Sequence, residues 1–103
     1  MAVSGDKFDV TKNIRMIEML KAQLLGNIAD LYKNLSSGSG SEEERTEILA
    51  DMTIMTYMLA GRLGVSNMTL DEKMKKKLSI GLVEENNSLH NDTAELLKFL
   101  NSR

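Results

Sequence analysis

A continuous stripe of apolar side chains runs along the first third of this chain. Its members recur at steps of three and four residues, which is the spacing that places side chains on one face of an α-helix. The stripe comprises Ile14, Ile17, Leu20, Leu24, Ile28, Leu31 and Leu35, and is widened by Met16, Met19 and Leu25. It predicts a helix from about Val10 to Leu35, with Asp9 or Thr11 as its N-cap.

A second long helix is predicted after a short low-complexity turn. Residues 36–41 contain only Ser and Gly, a composition typical of a flexible connection. Ser41 and Glu44 have the spacing of a capping box, and Gly64 is a natural left-handed stop after about Leu63. From Met52 onward this helix is apolar on nearly all sides, so we expect it to be buried at a subunit interface.

The rest of the chain predicts two shorter helices. Thr69 and Glu72 are spaced as a second capping box, which predicts a helix from Leu70 to about Glu84. A last helix is predicted from Asp92 to about Leu100, and places His90 in a polar linker at the surface. The chain has no Pro and eight Met, a composition that favours helices. The predicted fold class is therefore all-α.

The predicted helices make a thin core for one chain. Two long antiparallel helices and two short ones bury few side chains by themselves, whereas two such hairpins complete a four-helix bundle on dimerisation. We therefore expect a homodimer or a homotetramer. Residues 1–8 are predicted to be a mobile tail, and residues 9–103 a single helical domain. Tyr32 and Tyr57 are expected to pack in the core, with the hydroxyl at its edge.

Composition argues against several classes of function. The formal net charge is -2, whereas nucleic-acid binding requires a basic face. There is no Cys, so there is no disulfide framework and no thiol chemistry. No apolar run approaches the length of about 20 residues that a membrane span requires, and the first nine residues hold no signal core. We expect a cytoplasmic protein without a membrane partner.

The acidic side chains of the second helix are the best candidates for chemistry. Glu44, Glu47 and Asp51 follow at i, i+3 and i+7, so they lie roughly on one side of the helix. Carboxylates so arranged can hold Mg²⁺, and Glu18 of the first helix could add a fourth. The alternative is a solvated helix face with rim charges paired to Lys or Arg. Asp51 stands among apolar neighbours and so requires a partner, a metal or water.

A basic run in the third helix is the second candidate. Lys73, Lys75, Lys76 and Lys77 could neutralise a phosphate, or could form the solvated face of an amphipathic helix.

The sequence resembles the MazG-like family, which comprises small all-helical relatives of the nucleoside triphosphate pyrophosphohydrolases. The stretch Glu47-Ile-Leu-Ala-Asp51, continued through Met52–Leu63, is similar to the second core helix of that family. Residues 13–21 resemble the first helix of a compact bacterial subgroup. The third helix, with Glu72, Lys73 and Lys77, resembles the basic helix that faces the nucleotide.

The resemblance implies a tight helical dimer or tetramer. Active members bind Mg²⁺ through four carboxylates and split a nucleoside triphosphate into a monophosphate and pyrophosphate. Those carboxylates stand as Glu-Glu-x-x-Glu on the first helix and Glu-x-x-Asp on the second. Here the alignment puts Gln23, Leu24 and Asn27 in place of three Glu, while Asp51 matches and Ile48 replaces the last Glu. Glu47 is one residue away, about 100° around the helix.

Three hypotheses follow. The first is a MazG-like pseudoenzyme with a degenerate metal site, weak or inactive in catalysis, that binds a nucleotide or a partner; Lys73, Lys77, Gln23 and Asn27 are its candidate nucleotide contacts. The second is an active Mg²⁺-dependent pyrophosphohydrolase with Glu47 and Asp51 as catalytic candidates. Its rearranged metal site would use Asp51, Glu47, Glu44 and Glu18. The third is a purely structural module that binds a protein partner, with the Met-rich second helix as its adaptable surface.

Overall fold

The computed structural model of this chain describes residues 9–84 and 86–103. These residues form four α-helices and no strand, which confirms the all-α class: α1 (Val10–Ser37), α2 (Glu42–Arg62), α3 (Asn67–Leu82) and α4 (His90–Asn101). The predicted mobile tail, residues 1–8, lies outside the described residues.

Helix α1 begins where the sequence predicts and ends two residues later. The side chain of Asp9 caps it, because the Lys12 backbone N–H donates to Asp9 Oδ1 over 2.8 Å. The helix continues through Ser37 and stops at Gly38, whose φ of 69° is in the left-handed region. A left-handed residue ends a helix, and glycine adopts this conformation without a Cβ penalty.

Helix α2 has the predicted capping box in full. The Glu44 backbone N–H donates to Ser41 Oγ over 3.1 Å, and the Ser41 backbone N–H donates to Glu44 Oε1 over 3.3 Å. Three glutamates in the first turn add to this start, since negative charge is favourable at a helix N-terminus. Gly64, at φ 87°, follows the end of the helix as predicted.

Polar contacts join α1 and α2 at both ends of an antiparallel hairpin. At the turn, Arg45 Nη1 donates to Asn34 Oδ1 over 3.3 Å and to the Gly40 carbonyl over 3.1 Å. At the open end, Asn13 Nδ2 donates to the Arg62 carbonyl over 3.4 Å, and Arg62 Nη1 donates to Asn13 Oδ1 over 3.3 Å. These hydrogen bonds, at the two ends of the hairpin, fix the register of the two helices.

The predicted start of α3 is wrong by three residues. Ser66, not Thr69, is the N-cap: its backbone is extended and its Oγ accepts from the Thr69 backbone N–H over 3.1 Å. Thr69 is thus already in the first turn, and Glu72 stands near Lys75, with 3.6 Å between Oε1 and Nζ. The pattern was ambiguous because Ser and Thr three residues apart are both competent caps. The helix ends at Leu82, short of the predicted Glu84.

The linker predicted around His90 is shorter than expected, because His90 is the first residue of α4. Asn87 organises the connection: its Nδ2 donates to the Gly81 carbonyl over 2.9 Å, and its Oδ1 accepts from the Leu89 backbone N–H over 3.0 Å. This Asx-type turn forms the short connection between α3 and α4. Helix α4 therefore begins two residues before the predicted Asp92. His90 is exposed, as the sequence predicts.

The chain divides into two compact units. The first ends at Val65 and contains the α1–α2 hairpin; the second, Ser66–Arg103, contains α3 packed against α4. In the second unit, Arg103 Nη2 lies 3.1 Å from both carboxylate oxygens of Asp71. The single domain predicted for residues 9–103 stays a prediction.

Few side chains are buried. Among the residues that the structure describes, only Leu20, Leu100 and Asn34 are less than 9% exposed. Tyr32, expected in the core, is 74% exposed, and this expectation is wrong for the single chain because the cavity beside Tyr32 is lined by residues of α1 alone. Tyr57 is half-buried. Large apolar surface therefore remains open, and bundle formation by dimerisation stays a prediction.

Within the described ranges, no single helix is long and apolar enough to cross a membrane. Helices α2 and α3, counted together as one bent pair, have the length and composition of a membrane span, but nothing beyond length and composition supports that role.

We predict that Gly40→Ala destabilises the hairpin. A Cβ at this position would lie 2.5 Å from Asn34 Cγ, Nδ2 and backbone oxygen, and neither the buried side chain nor the helical carbonyl can move freely. We expect a loss of about 1–3 kcal/mol in the free energy of unfolding, measured by urea denaturation. The matched control is Gly26→Ala, where nothing lies within 4 Å and a helical Ala should stabilise by roughly 0.5–1 kcal/mol. Equal effects of the two substitutions would contradict the packing argument.

Candidate functional site

One groove runs along a single side of the α1–α2 hairpin. Three adjoining cavities make it up, with volumes of about 1170, 340 and 510 Å³ from the open end of the hairpin to the turn. Gln23 and Met55 line both the first and the second cavity, and Asp30 lines both the second and the third. These shared residues connect the three cavities into one row, and we call this row the hairpin groove.

The open end of the hairpin groove is rich in thioethers. Met16 and Met19 of α1 and Met55 and Met58 of α2 line it, together with the buried Leu20. Each pair is spaced i, i+3, which places both side chains on one face of its helix. Among the described residues, Arg62 is the only charged side chain that lines this end, and it is hydrogen-bonded to Asn13.

The centre of the groove is polar. Gln23, Asn27 and Asp30 line it from α1, and Asp51 lines it from α2. The three α1 residues follow at i, i+4 and i+7, so one helix face presents two carboxamides and a carboxylate. Three residues that the sequence singled out, Gln23, Asn27 and Asp51, are thereby brought to one place.

The turn end of the groove is mainly acidic. Asp30, Glu44 and Glu47 line it together with Lys33 and the buried Asn34. Glu44 Oε1 also accepts from the backbone N–H and the Oγ of Ser41, at 3.3 and 3.0 Å. Glu44 therefore serves as the cap of α2 in addition to bordering the groove.

Asn34 has an unusual environment. It is 8% exposed, its Oδ1 accepts from Arg45, and its Nδ2 has no partner among the described residues. A buried donor without an acceptor destabilises the folded state by about 1–3 kcal/mol, and the Nδ2 atom is enclosed within the hairpin.

The remaining predicted site residues lie elsewhere. Glu18 does not line the groove; its Oε2 lies 2.8 Å from Lys21 Nζ on the exposed side of α1. Lys73 and Lys77 are exposed on α3, in the second unit. Within residues 9–84 and 86–103, no three Asp, Glu, His or Cys side chains converge closely enough to hold a metal ion.

Asp30 is the one lining carboxylate among the described residues that the sequence analysis did not select, because it lies off the apolar stripe of α1. The available signal was its spacing: it stands three residues after Asn27 and seven after Gln23, on the same helix face. An apolar stripe locates the core, whereas a groove lies at its edge. Polar residues flanking the stripe were therefore the better guide to this site.

Comparison with known proteins places the chain in a family. No curated protein and no solved structure matches it. The family model described as "MazG-like family" matches residues 10–96, which span all of α1, α2 and α3 and the start of α4. This match covers most of the chain, and the protein therefore belongs to the MazG-like family.

Proposed function

We propose that this protein is a MazG-like pseudoenzyme, weak or inactive as a nucleoside triphosphate pyrophosphohydrolase, that acts by binding a nucleotide or a protein partner. The observation that carries this proposal is the centre of the hairpin groove. Gln23 and Asn27 line it at positions where the family resemblance aligns two of the metal-binding glutamates.

The substitution of carboxamides for carboxylates weakens a magnesium site for a direct reason. Mg²⁺ is a hard cation that loses its water reluctantly, and negatively charged oxygens offset that loss better than neutral ones. Leu24, aligned with a third glutamate, does not line the groove centre, and Ile48 lines only the turn end. The residues present do not fit the four-carboxylate site, so no catalytic step is assigned to a metal here.

The same carboxamides suit a binding role. Asn and Gln side chains each offer two N–H donors and one carbonyl acceptor, which can pair with the polar edge of a nucleobase. Lys73 and Lys77 are exposed cations of the kind that contact phosphate. These features support nucleotide binding that does not depend on Mg²⁺.

The active-enzyme alternative has less support. Its proposed set includes Glu18, which is paired with Lys21 away from the groove, and Glu44, which caps α2. Only Glu47 and Asp51 remain for a rearranged site, with Asp30 as the nearest further carboxylate along the groove. The alternative of a purely structural interaction module draws support from the Met-lined open end.

We also propose that the hairpin self-associates through the side of α1 opposite the groove. Leu25, Ile28, Tyr32 and Leu35 follow there at steps of three and four, and all are exposed in the single chain. A stripe of this kind loses its contact with water when a second hairpin packs on it. A homodimer or homotetramer built this way would leave the groove accessible.

We predict that nucleotides stabilise the protein without being cleaved. Thermal unfolding is followed with each common nucleoside triphosphate, with and without Mg²⁺, while pyrophosphate is assayed in the same wells. A ligand that binds only the folded state raises the midpoint by mass action. Pyrophosphate release that is lost in Asp51→Asn would establish the active enzyme instead. Release that persists in Asp51→Asn would exclude the groove as its site, and no nucleotide response would favour the interaction module.

We predict that restoring two carboxylates creates magnesium binding. Gln23→Glu with Asn27→Glu places up to four carboxylates around the groove centre, so calorimetry should show Mg²⁺ bound at least about tenfold more tightly than by the parent, equivalent to about 1.4 kcal/mol. The matched control is Thr11→Glu with Ala22→Glu, which adds the same charge to α1 at exposed positions that line neither the groove nor the cavity beside Tyr32. Equal gains in both double variants would mean nonspecific charge attraction.

We predict that Tyr32→Glu disrupts self-association. A charge placed in an apolar interface must be desolvated without a partner, so the mass measured by sedimentation or light scattering should fall towards that of one chain. The control is Met68→Glu on α3, which is also highly exposed and lies outside the proposed interface. A parent protein that is monomeric at all accessible concentrations would overturn the proposed assembly.

A further inference from the structure

The hairpin groove changes in chemistry along its length. Methionines line its open end, carboxamides and carboxylates line its centre, and carboxylates dominate its turn end. We propose that this groove binds a basic amphipathic helix of a partner protein, with the apolar face of that helix on the methionines and its Lys or Arg residues at the turn end. The inference rests on the partner-binding form of the proposed function and specifies the partner.

The open end fits an apolar helix face of variable shape. Methionine is unbranched and polarisable, so its side chain adapts to different partner surfaces. Met19 and Met58 are 42% and 55% exposed, which leaves their thioethers available to a ligand. Amphipathic helices bind in such grooves through anchors spaced i, i+3, i+4 and i+7.

The charge of the groove selects a basic partner. Asp30, Asp51, Glu44 and Glu47 line its centre and turn end. Among the described residues, the cations nearest to them are Lys33, which lines the turn end, and Arg45, which is hydrogen-bonded to Asn34 and to the Gly40 carbonyl. Lys or Arg side chains would be attracted there, and the attraction would fall with salt. Complementary charge fixes the direction in which an amphipathic helix can lie.

The length of the groove agrees with a helical occupant. The groove follows α1 from Met16 to Ser37, about 30 Å at 1.5 Å per residue, which matches a helix of about 20 residues. Glu44 and Glu47 line its turn end, so the basic residues of the partner helix belong there. Lys and Arg are favourable near the C-terminus of a helix. We therefore place the C-terminal end of the partner helix, carrying its basic residues, at the turn.

The test uses the full chain and a fluorescein-labelled synthetic peptide. The probe has 20 residues, with Leu at i, i+3, i+4 and i+7 in its N-terminal half and Lys in its C-terminal half. Fluorescence anisotropy should show saturable binding that weakens as salt is raised. A second peptide with Glu in place of every Lys should not bind. Equal binding of the two peptides, or binding of neither, would overturn the inference.

Variants of the protein locate the binding surface. Asp30→Asn with Asp51→Asn should weaken peptide binding at least about tenfold, and Met19→Gln with Met58→Gln should do the same by placing amides in the apolar half. The control variants are Glu43→Gln with Glu95→Gln, and Met68→Gln, none of which lines the groove. Control variants that weaken binding as much as the groove variants would show that the peptide does not occupy the groove.

Three further outcomes separate this inference from its rivals and from the proposed function. If the Asp30/Asp51 variant changes the molecular mass of the protein but not its affinity for the peptide, the occupant is a second copy of this chain and the inference is wrong. If nucleotides stabilise the protein and the peptide does not bind, the inference fails while the pseudoenzyme proposal stands. Peptide binding together with Asp51-dependent pyrophosphate release would support the inference and overturn the pseudoenzyme.

Discussion

The packing of α1 against α2 is the interaction on which the first unit depends. Polar contacts at the two ends of the hairpin set its register. Arg45 bridges Asn34 and the Gly40 carbonyl at the turn, and Asn13 pairs with Arg62 at the open end. With the register fixed, Gln23, Asn27 and Asp51 meet at one level of the groove. The candidate site is therefore a consequence of how the hairpin closes.

The hairpin is also incomplete by itself. No residue of α2 is buried, and of the apolar residues of α1 only Leu20 is. Two helices that bury so little surface gain little from the hydrophobic effect, so a further layer is required for a stable fold. The two open sides differ in chemistry: one carries a uniform apolar stripe, while the other carries a groove with thioethers, amides and acids. This difference supports separate roles in self-association and in ligand binding.

The family relationship and the groove composition point in different directions. Membership of the MazG-like family suggests a pyrophosphohydrolase-like fold. The amide side chains of Gln23 and Asn27 at the groove centre, in contrast, favour weak binding of Mg²⁺. Where no metal ion is bound, several negatively charged side chains no longer have to converge on one point. The remaining polar and apolar groups along the groove can then bind a ligand without a metal ion, which is the common element of the proposed nucleotide-binding and partner-binding roles.

The sequence by itself determined the helices, because local signals define them. The stripe of α1, the Ser41–Glu44 capping box and the glycine after α2 each act within a few residues, and they are confirmed. Prediction from the sequence failed where two local signals competed, as at Ser66 and Thr69. It also failed where the exposure of a side chain depends on neighbouring elements, as at Tyr32. Only the tertiary structure decided which polar residues face one another: it joined Gln23, Asn27 and Asp51, added Asp30 and separated Glu18. The physical reason is that helical spacing fixes the face of one helix, whereas a groove requires the register between two.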